Sequence, residues 1–206
     1  MLLVIGNKNY SSWSLRPWIA MKVHGMPFDE TRIHLYAANS KAEILRYSPV
    51  GKVPILQDGA TTVWDSLAIL EYLAERNPRL WPREAGDRAK ARSIAAEMHA
   101  GFPKLREHMS MNIRKRYPGK GRTPEVLADI ARITAIWAEA KGPFLFGEFT
   151  AADAMYAPVV LRFRTYAVEG PNRRYIDAML ALPAMREWIE ASEREPESIP
   201  ELDLYE

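Results

Sequence analysis

Between an apolar run, Leu2-Leu3-Val4-Ile5-Gly6, and a helix-like run, Trp18-Ile19-Ala20-Met21-Lys22-Val23, the chain carries Asn9-Tyr10-Ser11-Ser12-Trp13-Ser14-Leu15-Arg16-Pro17. Three hydroxyls therefore collect where a strand hands over to a helix. Pro17 places the helix start, because proline lacks an N–H and suits the first turn, whose N–H groups have no intrahelical partner. This spacing predicts Ser14 as the N-cap, with Leu15, Arg16 and Pro17 as the first helical residues. Ser11 and Ser12 then stand ahead of a positive helix end, where an anion gains from the dipole and from a hydroxyl donor. The same serines also serve simply to cap a helix and turn the chain.

The rest of the chain has two textures. Residues 2–6 read as a buried strand, 15–23 as a helix stopped by Gly25, and 31–35 as a second strand in which apolar and polar residues alternate. Strand, helix, strand makes a βαβ unit with a right-handed crossover. A short helix over 41–46 follows, then a strand over 53–56 broken by Pro54, which places it at an edge or in special geometry. Asp58-Gly59 turns it into a partner strand over 61–63, and a helix runs from Ser66 to Arg76 before Asn77-Pro78. From residue 84 onward the pattern is helical throughout. Ile94, Met98, Phe102, Leu105, Met109 and Ile113 form one stripe at helical spacing, and Val126, Ile130, Ile133 and Trp137 form another. Thr150 and Asp153 stand at capping-box spacing ahead of a helix over 151–167, and Pro183 opens a last helix through Glu193. Residues 77–86 read as the linker between the halves.

Composition excludes several chemistries. The formal charge is +2, from 28 basic and 26 acidic residues, so nucleic-acid binding would need a local patch. The one dense basic cluster, Arg114-Lys115-Arg116 with Lys120 and Arg122, reads as a solvated helix end and loop. No apolar run approaches the roughly 18 residues of a membrane span, and the N-terminus lacks the pattern of a signal peptide. The expectation is a cytoplasmic protein with neither nucleic acid nor membrane as partner. Cysteine is absent, which removes disulfides, thiolate metal sites and thiol nucleophiles. The histidines at 24, 34, 99 and 108 show no metal-ligand spacing, and no phosphate-binding glycine loop is present.

In this order of elements, three motifs carry a family resemblance. Ser11-Ser12-Trp13-Ser14-Leu15-Arg16 resembles the serine motif Ser-Ser-Cys-Ser-x-Arg of zeta-class enzymes, with Trp13 in the cysteine place. Val53-Pro54 is similar to a cis-proline pair, and Asp65-Ser66 to the acid-serine pair that opens a third helix. The segment 147–153 looks like a buried capping box. Over nearly its full length the chain resembles the cytosolic glutathione transferases, in a serine-type, zeta-like bacterial form. The resemblance implies an α/β thioredoxin-like N-terminal domain over 1–80 (βαβαββα, a mixed four-stranded sheet) and an all-helical domain over 85–206 that contributes the electrophile site. It also implies glutathione as co-substrate, a small-molecule electrophile and a homodimer.

The same resemblance assigns roles. Ser66 would bind the γ-glutamyl carboxylate of glutathione and Asp65 its ammonium, while Val53 would pair main chain to main chain with the tripeptide. Lys52, and after it Lys41, would meet the glycyl carboxylate. Each of these residues also reads as an ordinary cap or solvated lysine. Ser11 would donate to the sulfur, with Ser12 the rival one residue nearer Arg16 and Tyr10 a third candidate; Arg16 would support the fold. Trp13, Phe102, Met109 and Tyr166 would line the electrophile site, with Arg162 or Arg164 near the place of a substrate-carboxylate arginine. The missing cysteine favours a general transferase over maleylacetoacetate isomerisation. A non-catalytic glutathione-binding or regulatory module is the alternative from another class, and a thiol–disulfide reductase is disfavoured by the absence of cysteine.

Overall fold

A computed structural model describes residues 1–170 and 172–205. Glu206, the last residue of the expected second domain, lies outside the described residues. The elements run β1 (Leu2–Ile5), α1 (Ser12–Val23), β2 (Asp29–Arg32), α2 (Ser40–Leu45), β3 (Ile55–Asp58), β4 (Thr61–Trp64) and α3 (Ser66–Arg76). They continue as α4 (Ala85–Ala100), α5 (Pro103–His108), α6 (Pro124–Ala138), α7 (Ala151–Tyr166), α8 (Arg173–Ala181) and α9 (Pro183–Glu193). Among the described residues the strands form one sheet in the order β2-β1-β3-β4. β1 and β2 are parallel and the other pairs antiparallel, so the expected mixed four-stranded sheet is present with helices following it.

Several boundaries differ from the sequence expectation. β2 ends at Arg32 because its partner β1 ends at Ile5, opposite it; the last rung is Ile33 N–H to the Ile5 carbonyl at 2.8 Å. The alternation over 31–35 reported which way side chains face, as buried Ile33 shows, and not where pairing stopped. β3 begins at Ile55, after a cis Val53-Pro54 bond. α1 begins at Ser12 and not at Leu15, with Ser11 as its N-cap, so Ser14 lies in the first turn and Pro17 inside the helix. The N–H groups of Tyr10 and Ser11 turn back to the Asn7 carbonyl at 3.1 and 2.8 Å, and this tight turn starts the helix early.

The stripe from Ile94 to Ile113 is not one helix. The Gly101 N–H closes α4 on the Glu97 carbonyl at 2.7 Å, Phe102 turns left-handed at φ 56°, and Pro103 opens α5. A side chain at 101 would bring its Cβ within 2.6 Å of that carbonyl oxygen, so glycine suits the exit. Residues 109–123 then run irregularly. Their polar groups bond elsewhere: Tyr117 N–H to the Thr165 carbonyl at 2.8 Å and Thr165 Oγ1 to the Asn112 carbonyl at 2.8 Å. The basic cluster sits on this segment and not on a helix end. Arg114 grips the carbonyls of Glu195 and Glu197, and Arg122 reaches the Ala167 carbonyl at 2.8 Å.

α1 is the centre of the molecule, packed against the sheet, α3, α7 and α9, with every residue from Ser14 to Met21 buried. α7 is buried along its length except at Arg164. Its entry is fixed by Asp153, whose carboxylate accepts the Thr150 N–H (2.8 Å), the Thr150 hydroxyl (3.0 Å) and the Leu145 N–H (3.0 Å). The expected capping box is therefore present and buried.

Burial pushes the Asp153 carboxyl up from 3.8 to about 6, against those hydrogen bonds that pull it down. The folded state thus holds the proton more tightly than the unfolded chain, whose Asp titrates at about 3.9. The contribution of Asp153 to stability is greatest below pH ~4, falls as pH rises to ~6, and is flat above; two units correspond to about 3 kcal/mol. Asp153→Asn removes this titration. The stability gap between wild type and Asp153→Asn, from urea melts between pH 4 and 7, should move against the wild type as pH rises through that window. A constant gap would refute the raised carboxyl.

Candidate active site

The loop over residues 7–10 joins β1 to α1 and is buried, so its polar groups need partners. Glu195 accepts the N–H groups of Lys8 (2.6 Å) and Asn9 (3.0 Å), and Trp188 donates to the Lys8 carbonyl at 3.0 Å. The Asn9 side chain bonds Asn112 Oδ1 and the Arg114 N–H, each at 3.0 Å. The Tyr10 hydroxyl donates to Asp203 at 3.0 Å and accepts the Ile199 N–H at 3.2 Å. That hydroxyl faces the C-terminal segment, so Tyr10 serves to anchor the chain end. Residues 195–203 and 112–114, none of which the sequence reading placed at the site, thus hold the loop that aims the serines.

Ser11 and Ser12 both line a cavity of about 480 Å³, together with Lys52, Arg106, Ser110 and Arg162. The Ser11 hydroxyl meets Ser14 Oγ at 2.7 Å, whereas Ser12 Oγ accepts a long contact from Arg162 Nη2 at 3.4 Å. A second cavity of about 520 Å³ is walled by Val53, Pro54, Trp64, Asp65 and Ser66. Trp13, Lys52 and Val53 belong to both, so the two spaces adjoin. The Val53 main-chain N–H and carbonyl have no hydrogen-bond partner among the described residues.

Asp65 combines two uses. It caps α3 from φ 73°, with Oδ1 accepting the N–H groups of Leu67 (2.9 Å) and Ala68 (3.2 Å). Its other oxygen lies 3.2 Å from His99 Nε2 on α4. Ser66 is fully buried at N1, its Oγ accepting Arg16 Nη1 at 3.4 Å. Lys41 is not among the residues lining either cavity; its Nζ lies over Gly51, which has φ 63° and leaves it room.

Cations dominate the first cavity. No carboxylate is found among its described lining residues, while Lys52, Arg106 and Arg162 face it. Arg162 is buried, its Nε donating to the Met109 carbonyl at 2.7 Å; burial and then the neighbouring Arg106 charge lower its pKa to about 10. Arg16, behind Trp13 at 4.2 Å from the ring, is lowered to about 9 by burial and then by Arg162 and Arg106. Arg16 and Arg162 both stay protonated near neutrality.

Of the residues expected to line the electrophile site, Trp13 does so, edge-on to His99 at 5.3 Å. Phe102, Met109 and Tyr166 instead belong to the hydrophobic core, as helix-spaced apolar residues usually do. Arg162 faces the cavity; Arg164 is the one residue of α7 that is not buried. The sequence reading missed Arg106, Ser110 and Tyr36. Arg106 is polar and flanks the apolar stripe of residues 94–113, so periodicity alone gave it no role. The Gly101-Phe102-Pro103 punctuation was the available signal.

Known proteins share this fold. The model of the glutathione S-transferase N-terminal domain matches residues 10–76, and that of the C-terminal domain residues 90–191. Rat (Rattus norvegicus) maleylacetoacetate isomerase is 28% identical over 93% of this chain and 93% of its own. The structure of a bacterial zeta-class maleyl pyruvate isomerase aligns with a TM-score of 0.73 at 24% identity, covering 97% of this chain and 100% of that one. A Burkholderia glutathione transferase homologue with bound glutathione aligns at 0.72 and 20% identity, covering 94% and 98%. Both structures share the fold, and since the two domain models match in order across most of its length, the chain belongs to the glutathione S-transferase family.

Proposed function

We propose that the chain is a glutathione transferase in which Ser11 stabilises the glutathione thiolate for attack on a small electrophile that carries a carboxylate. The observation that carries this reading is the pair of adjoining cavities. One has an acid-capped helix end and free Val53 main-chain groups; the other has a serine hydroxyl at the N-terminus of α1 and a wall of cations without an acid. In this reading the γ-glutamyl group lies at Asp65 and Ser66, the cysteinyl unit pairs with Val53, Lys52 meets the glycyl carboxylate with Lys41 nearby, and the sulfur reaches Ser11.

The magnitudes are adequate. A free thiol titrates at about 8.5, and lowering it by two units requires about 2.7 kcal/mol of preference for the anion. A hydrogen bond to a charged group contributes about 1.5–3 kcal/mol and a helix end about 0.3–1. Arg162, Arg106 and Lys52 add a positive field in a partly dehydrated space.

Maleylacetoacetate isomerase-like chemistry is the second reading. The rat relative's name and the acid-free, arginine-walled cavity favour it, since an isomerase for an acidic enone needs a carboxylate clamp. Trp13 in the place of the zeta cysteine is the departure from it. A binding module would retain glutathione without turnover; the Ser11 hydroxyl, which lines the cavity and makes no bond to the helix end it caps, favours the enzyme.

Four outcomes are expected. Ser11→Ala should raise the pKa of bound glutathione and lower kcat by about 10²–10³, with Ser12→Ala costing less; the reverse ranking in a thiolate-absorbance titration would exchange their roles. Asp65→Ala and Ser66→Ala should each weaken glutathione binding by about 1.5–3 kcal/mol in calorimetry with native circular dichroism; unchanged affinity in both would reduce the pair to a helix cap.

Arg162→Met should raise KM at least tenfold for an electrophile bearing a carboxylate and leave KM for a neutral aryl halide nearly unchanged, because only the first loses a charged partner, while kcat falls for both as the thiolate loses part of its positive field. Equal rises in KM for both substrates would sink the carboxylate assignment. The proposed homodimer should scatter light as about twice the 23.5 kDa chain at micromolar concentration; a monomer mass would refute it.

A further inference from the structure

The third serine of the motif has no place in the proposed chemistry, yet it is the most enclosed of the three. Ser14 is fully buried in the first turn of α1. Its Oγ has two contacts among the described residues: it accepts the Gly6 N–H at 3.1 Å and lies 2.7 Å from Ser11 Oγ. The Gly6 group is a donor, so the Ser14 proton has one acceptor within reach, Ser11. Were Ser11 instead the donor, the Ser14 hydroxyl proton would be buried with nothing to receive it, an arrangement that native interiors avoid.

We propose that Ser14 is a positioning residue that fixes the direction of the Ser11 hydroxyl. The chain of bonds runs from Gly6 N–H to Ser14 Oγ and from the Ser14 hydroxyl to Ser11 Oγ. With that lone pair occupied, the Ser11 proton turns away from Ser14, and Ser11 lines the cavity. Ser11 makes no side-chain bond to the helix end it caps, so nothing within α1 competes for that proton. Donation from Ser14 also polarises the Ser11 hydroxyl and strengthens it as a donor. No proton leaves either serine; the pair presents a pre-oriented donor whose cost of orientation is met by folding rather than at the chemical step.

The inference rests on the proposed contact between Ser11 and the glutathione sulfur, and the test separates the two. Wild type, Ser14→Ala, Ser11→Ala and the double variant are saturated with glutathione and the thiolate absorbance is titrated against pH. Lys52, Arg106, Arg162, Tyr10 and Tyr36 are the titratable groups among the described residues that line the cavity; none is changed in any of the four proteins, so the comparison isolates the two serines. Ser14→Ala should raise the apparent pKa of bound glutathione by about half a unit, and should add nothing in the Ser11→Ala background. No shift in Ser14→Ala overturns the relay. An equal shift in both backgrounds also overturns it, because a general loosening of the first turn would act without Ser11. If Ser11→Ala itself leaves the titration unmoved while glutathione still binds, the sulfur contact has failed and the relay with it. Ser14→Cys keeps nearly the side-chain volume but supplies only a weak donor; it should shift the titration as Ser14→Ala does, and so carries the test if the alanine variant does not fold.

Discussion

The loop over residues 7–10 is buried, and the rest of the structure depends on how its polar groups are paired. Leaving one buried N–H without a partner costs about 1–3 kcal/mol, so two at Lys8 and Asn9 would be a substantial fraction of a domain's stability. Glu195 accepts both, and burial raises its own carboxyl pKa, with the two N–H bonds pulling the other way. Asp203 and Asn112 hold Tyr10 and Asn9 in the same manner. The position of Ser11 therefore depends on residues near the C-terminus, which tie the sheet to the helical half from behind the cleft.

In front of that loop, charge decides what the cleft accepts. Burial depresses the pKa of Arg16, Arg106 and Arg162; the Arg162 and Arg106 charges lower Arg16 further, and the Arg106 charge lowers Arg162. Such a cluster without a carboxylate among the lining residues favours an anionic guest, which would relieve the mutual repulsion. Trp13 stacks on Arg16, turns an edge to His99, and lies under Arg106 at 5.7 Å. An aromatic face between guanidinium groups softens their repulsion through its quadrupole, and a cysteine at this position would lack that face.

Much was legible because its causes are local. The Pro17 signal marked the first helix but misplaced its start by three residues, since the turn onto the Asn7 carbonyl, and not proline, begins α1. Thr150 and Asp153 were readable as a cap because both partners lie within one turn. The Ile94–Ile113 stripe was correctly apolar and wrongly continuous: periodicity reports which residues are buried, and a break that preserves burial on both sides leaves the stripe intact. Phe102, Met109 and Tyr166 fell in the core because a sequence pattern does not distinguish a cavity wall from an interior.

The sequence by itself determined the element order, the mixed sheet followed by helices, the serine cluster at a strand-to-helix junction, and the helix end at Asp65 and Ser66. Each follows from hydrophobic periodicity, from turn chemistry or from the missing N–H of proline, all of which act within a few residues. Only the tertiary structure decided that Tyr10 is committed to Asp203, that Arg162 and not Arg164 faces the cavity, that Ser14 bonds Ser11 rather than capping α1, and that residues 195–203 clamp the serine loop. These are pairings of buried polar groups up to 193 residues apart in the chain. Their partners are chosen by what desolvation leaves within reach once the chain has packed, which no local pattern encodes.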